Sequence, residues 1–106
     1  MIYFMQMDLE IVWLKHCVKD FESFDEEEFI RADLKLKRVL SQIYQNTSRV
    51  EGTDLRRLRI GKKRLFLRVA GNKVYCIGYK LRDNAYNNKQ LKEMDKMTKR
   101  IMEQGL

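Results

Sequence analysis

The chain contains no proline and only five glycines in 106 residues, which excludes a Pro/Gly-rich low-complexity protein. Its two cysteines, Cys17 and Cys76, are too few for a disulfide framework and read as small buried hydrophobes. One histidine, His16, has no partners at the spacing of a zinc site or a histidine-based nucleophile triad, so no metal and no cofactor is expected. Gly71 and Gly78 stand isolated, and a glycine-rich phosphate loop is absent. The start, Met1 to Met7, lacks a charged n-region and meets Asp8 and Glu10 at once. It reads as neither a signal peptide nor a membrane span. A cytoplasmic protein with reduced thiols and no membrane partner is the expectation.

What is present is charge. Charged residues make up 35% of the chain and hydrophobic residues 44%, a globular composition. The length suits a single domain over residues 1–106. The net charge of +7 is unevenly spread. Residues 1–50 carry seven basic and nine acidic side chains, and residues 51–106 carry fifteen basic and six acidic. Between Asp54 and Arg82 there are ten Lys/Arg, and Asp54 is the one acid of that run. A small domain this basic points to an acidic partner such as nucleic acid.

The pattern predicts a strand over residues 9–14, with the apolar residues 2–7 as an extension or a separate piece, and a short helix over residues 15–24. Asp25 is a natural N-cap, and Glu28 is spaced to complete a capping box, with Phe24 and Phe29 as the flanking staple. The helix that follows carries Phe29, Leu36, Leu40 and Ile43 on one stripe and should end near Asn46. Alternation then predicts strands over residues 55–60, 64–69 and 73–79, with turns at residues 61–63 and at Gly71 and Asn72. A final helix from Asn88, its expected N-cap, carries Leu91, Met94, Ile101, Met97 and Met102 on its apolar side and should stop at Gly105.

A two-residue turn at Gly71 and Asn72 sets a register. It places Ala70 opposite Lys73, Val69 opposite Val74, Arg68 opposite Tyr75, Leu67 opposite Cys76, Phe66 opposite Ile77 and Arg64 opposite Tyr79. One sheet face, with Leu65, Leu67, Val69, Val74 and Cys76, is then the core. The other carries Arg57, Arg59, Arg64, Phe66, Arg68, Tyr75, Ile77 and Tyr79, and is expected to stay wet. Guanidinium groups attract phosphates and aromatic faces stack on unpaired bases, so this face reads as a nucleic-acid surface. Arginine forks also stabilise phosphoryl-transfer transition states, and RNA supplies its own nucleophile, the 2′-hydroxyl.

Within residues 51–75 the run Leu58, Arg59, Ile60, Gly61, then Arg64, Leu65, Phe66, Leu67 and Val69, then Gly71, Asn72, Val74 and Tyr75, resembles the RelE/ParE toxin superfamily. Ile11, Val12 and Trp13 followed by two helices match the same layout. Ile77, Gly78, Tyr79 and Lys80 look like the HigB branch, and the segment from Arg82 to Tyr86 resembles the RelE-type ending. The resemblance spans residues 9–102. It implies an α+β fold, a small antiparallel-rich sheet with helices packed on one face, plus a C-terminal helix.

The resemblance also implies a metal-independent endoribonuclease that cleaves messenger RNA at the ribosome and inhibits translation, neutralised by a cognate antitoxin protein. By position, the implied catalytic residues are Arg57, Arg59, Arg64, Lys80, Arg82 and Tyr86. Arg57 and Arg59 would bind phosphate, since arginine holds its proton too strongly for a general base. Arg64 would hold the scissile phosphate, Lys80 or Arg82 would assist the leaving group, and Tyr86 would be a base or a stacking platform. Lys62, Lys63, Phe66, Arg68, Tyr75 and Tyr79 would bind RNA. The family's usual histidine near Tyr79 is missing. Two other readings remain open at this point: a ParE-like inhibitor of gyrase, and a non-catalytic nucleic-acid-binding or regulatory protein.

Overall fold

A computed structural model of the chain describes residues 9–81 and 86–104. The expected strand extension at residues 2–7, Arg82 and the helix stop at Gly105 lie outside the described residues. The elements run β1 (Glu10–Trp13), α1 (Lys15–Asp20), a 3-10 turn at Phe21–Ser23, α2 (Glu26–Val39), a second 3-10 turn at Leu40–Gln42, and α3 (Ile43–Asn46). Then come β2 (Ser48–Arg49), β3 (Arg56–Ile60), β4 (Lys63–Ala70), β5 (Lys73–Leu81) and α4 (Asn88–Glu103). The strands form one sheet in the order β1-β5-β4-β3-β2. β1 joins β5 in parallel and the other pairings are antiparallel.

The tight turns follow from glycine. Gly61 and Gly71 adopt φ of 60° and 59°, a region closed to most side chains. The expected register holds from Ala70 opposite Lys73 to Leu67 opposite Cys76. It then breaks at a bulge between Phe66 and Leu67, beyond which Phe66 faces Gly78, Leu65 faces Tyr79 and Arg64 faces Lys80. One extra residue on β5 thus corrects the expected pairings of Phe66 with Ile77 and of Arg64 with Tyr79. Strict alternation does not survive an inserted residue.

Both sheet faces are covered. On the first, Leu58, Ile60, Leu65, Leu67, Val74, Cys76 and Tyr79 pack with Cys17, Phe21, Ala32, Leu36 and Ile43 from the N-terminal helical layer. On the second, Leu55, Phe66, Tyr75 and Ile77 pack with Leu14, Val50 and Leu91, and Met94, Ile101 and Met102 of α4 add to them. The expectation of one wet face is therefore corrected. Burying a large apolar side chain contributes about 1.5–3 kcal/mol, so a face bearing Phe66, Tyr75 and Ile77 draws the apolar side of α4 onto itself.

Two caps also differ. Asp25 occupies the N-cap of α2 but its side chain makes no capping bond. Glu28, the expected capping-box partner, turns instead to Lys63 and Tyr79. The N-cap of α4 is Asn87, one residue before the expected Asn88. Asn87 Oδ1 accepts from the Gln90 amide at 2.8 Å, and Gln90 Oε1 accepts from the Asn87 amide at 2.9 Å, a reciprocal pair that satisfies two helix-end donors.

Candidate nucleic-acid interface

Helix α4 covers only part of the second face. The strand registers lay out what remains as rows, since paired residues on neighbouring strands project to the same side. Arg59, Arg64 and Lys80 form one row across β3, β4 and β5. Arg57, Phe66 and Gly78 form the next. Arg68 and Tyr75 belong to a row beneath α4. Arg57 and Arg59 are exposed, while Arg64 and Lys80 are half-buried. The Arg64 guanidinium donates to the Lys63 carbonyl at 3.1 Å.

Tyr86 closes this patch toward α4. Its ring meets Phe66 edge to face at 5.3 Å, and its hydroxyl donates to Asp20 Oδ2 at 3.0 Å. Gly78 makes the approach possible, because a Cβ there would lie 2.8 Å from the Tyr86 hydroxyl oxygen. The Lys80 ammonium sits 5.3 Å from the centre of the Tyr86 ring. Burial, and then the nearby Asp20 carboxylate, push the Tyr86 phenol well above its ordinary value. A phenol in this setting holds its proton more tightly than a free one.

Five of the residues expected to bind RNA are otherwise engaged. Phe66, Tyr75 and Tyr79 are 1%, 5% and 0% exposed, which leaves no ring face for a base. The bulge sends Tyr79 into the first core, where it stacks on Phe21 at 4.2 Å and donates its hydroxyl proton to Glu28 at 2.8 Å. Lys63 also points to the first face, with its ammonium 2.5 Å from Glu28 and 4.3 Å from the centre of the Phe24 ring. Arg68 donates to Asp95 at 2.9 Å and to Asp54 at 3.3 Å, and its side chain is 12% exposed. Of the six, Lys62 in the β3–β4 turn is the exposed one.

Sequence reading missed Asp20, whose carboxylate joins α1 to β5 and to Tyr86. A signal was there: an acid in the last turn of a helix opposes the helix dipole and calls for another explanation. Among the described residues one cleft lies beside Arg49, Arg56 and Arg68, away from the row of Arg59, Arg64 and Lys80. Another of about 570 Å³, lined by Leu40, Ile43, Tyr44 and Val69, lies at the Gly71 end of the sheet, away from the arginine row.

Glu28 carries a pH prediction. The Lys63 ammonium, and then the Tyr79 hydroxyl, hold its carboxyl below the ordinary value of 4.5 against the opposing effect of burial. The folded state therefore binds this proton less readily than the unfolded chain. The stabilisation is complete above the unfolded value and disappears as pH falls through the folded one. Glu28→Gln should be less stable than the parent at neutral pH, with the two urea midpoints converging as pH falls below the ordinary value of 4.5. A constant gap as pH falls would remove Glu28 as the titrating group.

The fold is shared with chains of solved RelB–RelE, RelBE2 and ParDE toxin–antitoxin complexes. The chain is similar to one in the RelB–RelE antitoxin–toxin complex of Methanococcus jannaschii, at 18% identity over 68% of this chain and 91% of the other, with a TM-score of 0.55. A chain of the RelBE2 toxin–antitoxin complex of Mycobacterium tuberculosis aligns at 14% identity over 71% and 99%, with a TM-score of 0.58. One from the chromosomal ParDE system of P. aeruginosa aligns at 12% identity over 71% and 97%, with a TM-score of 0.57. No family model matches the sequence, and no curated protein matches it significantly.

Proposed function

We propose that this chain is the toxin of a toxin–antitoxin pair and that it cleaves messenger RNA in the cytoplasm, at the ribosome, without a metal. The observation that supports this most is the row Arg59, Arg64 and Lys80, flanked by Arg57, at the end of the sheet that α4 leaves open. In the cleavage, the 2′-oxygen forms a bond to phosphorus and the bond to the 5′-oxygen breaks. The products are a 2′,3′-cyclic phosphate and a 5′-hydroxyl end. Arg64 holds the scissile phosphate and, with Arg57 and Arg59, offsets the charge that builds on its oxygens. The Lys80 ammonium supplies a proton to the departing 5′-oxygen, and the 2′-hydroxyl proton leaves to solvent. Arg82, outside the described residues, is a second candidate for assisting the leaving group.

Expression of the chain alone in a bacterial host should arrest growth and create new RNA ends, and a cognate antitoxin should reverse both. Normal growth with intact messages would refute the reading. The ParDE likeness favours one alternative, in which contact with gyrase and not RNA chemistry causes the arrest. Arrest with intact messages and blocked supercoiling would establish that alternative.

A further inference from the structure

We infer that Asp20 is a positioning residue, whose carboxylate tethers Tyr86 so that its ring stands beside Arg64 and Lys80. This rests on the RNA-cleavage reading and extends it to a residue outside the arginine rows. Three groups from two segments converge on this carboxylate. Oδ2 accepts from the Tyr79 backbone amide at 2.9 Å and from the Tyr86 hydroxyl at 3.0 Å, and Oδ1 lies 3.9 Å from the Lys80 ammonium.

The topology explains why Asp20 has this task. β1 pairs with β5 only as far as Trp13 opposite Cys76, with one further bond from the Leu14 amide to the Cys76 carbonyl. Beyond that point, among the described residues, β5 has no strand on its β1 side, and the Tyr79 amide would lack a strand partner there. Asp20, at the end of α1, takes the amide in place of a strand. The same oxygen holds Tyr86, which follows β5 in the chain and closes the arginine patch. The burial and anionic neighbour that raise the Tyr86 phenol keep it a hydrogen-bond donor to that oxygen. With its oxygen tied to Asp20, the ring is fixed over Gly78 and against Phe66, one row from Arg64. The Lys80 ammonium is 5.3 Å from the centre of the Tyr86 ring and 3.9 Å from Asp20 Oδ1, and Lys80 pairs directly across from Arg64.

Asparagine and alanine at position 20 separate the effects. Asp20→Asn keeps one oxygen to accept both bonds and loses only the charge facing Lys80. Asp20→Ala loses the tether. Steady-state cleavage of an RNA the parent cuts, on ribosomes if the parent requires them, is the measurement. Asp20→Ala and Tyr86→Phe should each lower kcat about tenfold to a hundredfold with KM unchanged, the scale of a small misplacement of a reacting group. The double variant should be no slower than the slower single one, because each change breaks the same bond. Asp20→Asn should retain kcat within about threefold. Losses that multiply in the double variant, a loss confined to KM, or an Asn variant as slow as the Ala variant would overturn the inference. If Asp20→Ala does not fold, Tyr86→Phe with full kcat overturns it. A parent that cuts no RNA overturns the cleavage reading and with it the role given to the tether. A parent that cuts, beside Asp20→Ala and Tyr86→Phe variants at full kcat, overturns the tether alone.

Discussion

Arg64→Ala should reduce RNA cleavage by about 100- to 1000-fold, the effect of removing one preorganised donor from a charged transition state. Its melting temperature should stay close to that of the parent. The two expectations come from the same geometry. Arg64 is the central member of the row between Arg59 and Lys80, so a phosphate seated on that row meets its guanidinium first. Its side chain is half-buried at the open end of the sheet, and the neighbouring β4 positions Leu65, Phe66 and Leu67 carry the packing of both cores. Arg64→Lys would keep the charge and lose the two-pronged fork, and should recover only part of the rate. Growth arrest and cleavage unaffected by Arg64→Ala would remove the row as the site, while an unfolded variant would show that Arg64 belongs to the packing.

Arg68→Ala should do the opposite, lowering stability by about 3 kcal/mol while leaving the cleavage rate of the folded fraction intact. Arg68 and Asp95 have side chains 12% and 11% exposed and meet at 2.9 Å. Removing the cation leaves a carboxylate buried under α4 with too little compensation. Among the described residues Asp95 then keeps Lys99 at 3.8 Å and the Asp54 amide at 3.4 Å. For a domain of this size the loss corresponds to a melting temperature lower by about 15 °C. Replacing both partners with apolar side chains, Arg68→Met with Asp95→Leu, should recover at least half of the loss, because a buried pair exchanged for hydrophobic packing is often close to neutral. A stable Arg68→Ala protein that no longer binds RNA would return Arg68 to the phosphate-binding set.

Arg64 and Arg68 look alike in the sequence, both on one strand and both on the same side of it. What separates them is distant in the chain. Asp54 and Asp95, which neutralise Arg68, come from the loop before β3 and from the middle of α4. Local pattern reports which side a residue takes, not what covers that side. The same limit explains α4: the apolar stripe of Leu91, Met94, Ile101 and Met102 was legible, but nothing in it names the surface it meets. Where short-range chemistry governs, reading succeeded. Gly71 and Asn72 gave four correct cross-strand pairs and the correct core residues Leu65, Leu67, Val74 and Cys76. The reading failed where Ile77 enters as an extra residue, although an isolated glycine such as Gly78 inside a strand is itself a bulge signal. Lys63 was misread for a simpler reason. The β3–β4 turn is one residue shorter than expected, so Lys63 joins β4 and shares the inward side with Leu65.

The extra residue at Ile77 has a consequence for how this chain can change. It acts as a half-period phase shift within a single strand. Before it, even-numbered positions such as Val74 and Cys76 look toward the helical layer; after it, the odd-numbered Tyr79 does, and the even-numbered Lys80 looks toward the arginines. Deleting Ile77 would remove the bulge and leave Tyr79 opposite Leu65 and Lys80 opposite Arg64. Flattening the bulge at constant length would instead exchange the destinations of Tyr79 and Lys80. A lysine would be pushed into the oily interior and a phenol set among the guanidiniums. This stretch is thus held to the side each residue takes after the bulge, which a deletion at Ile77 preserves and a straightened strand of the same length inverts.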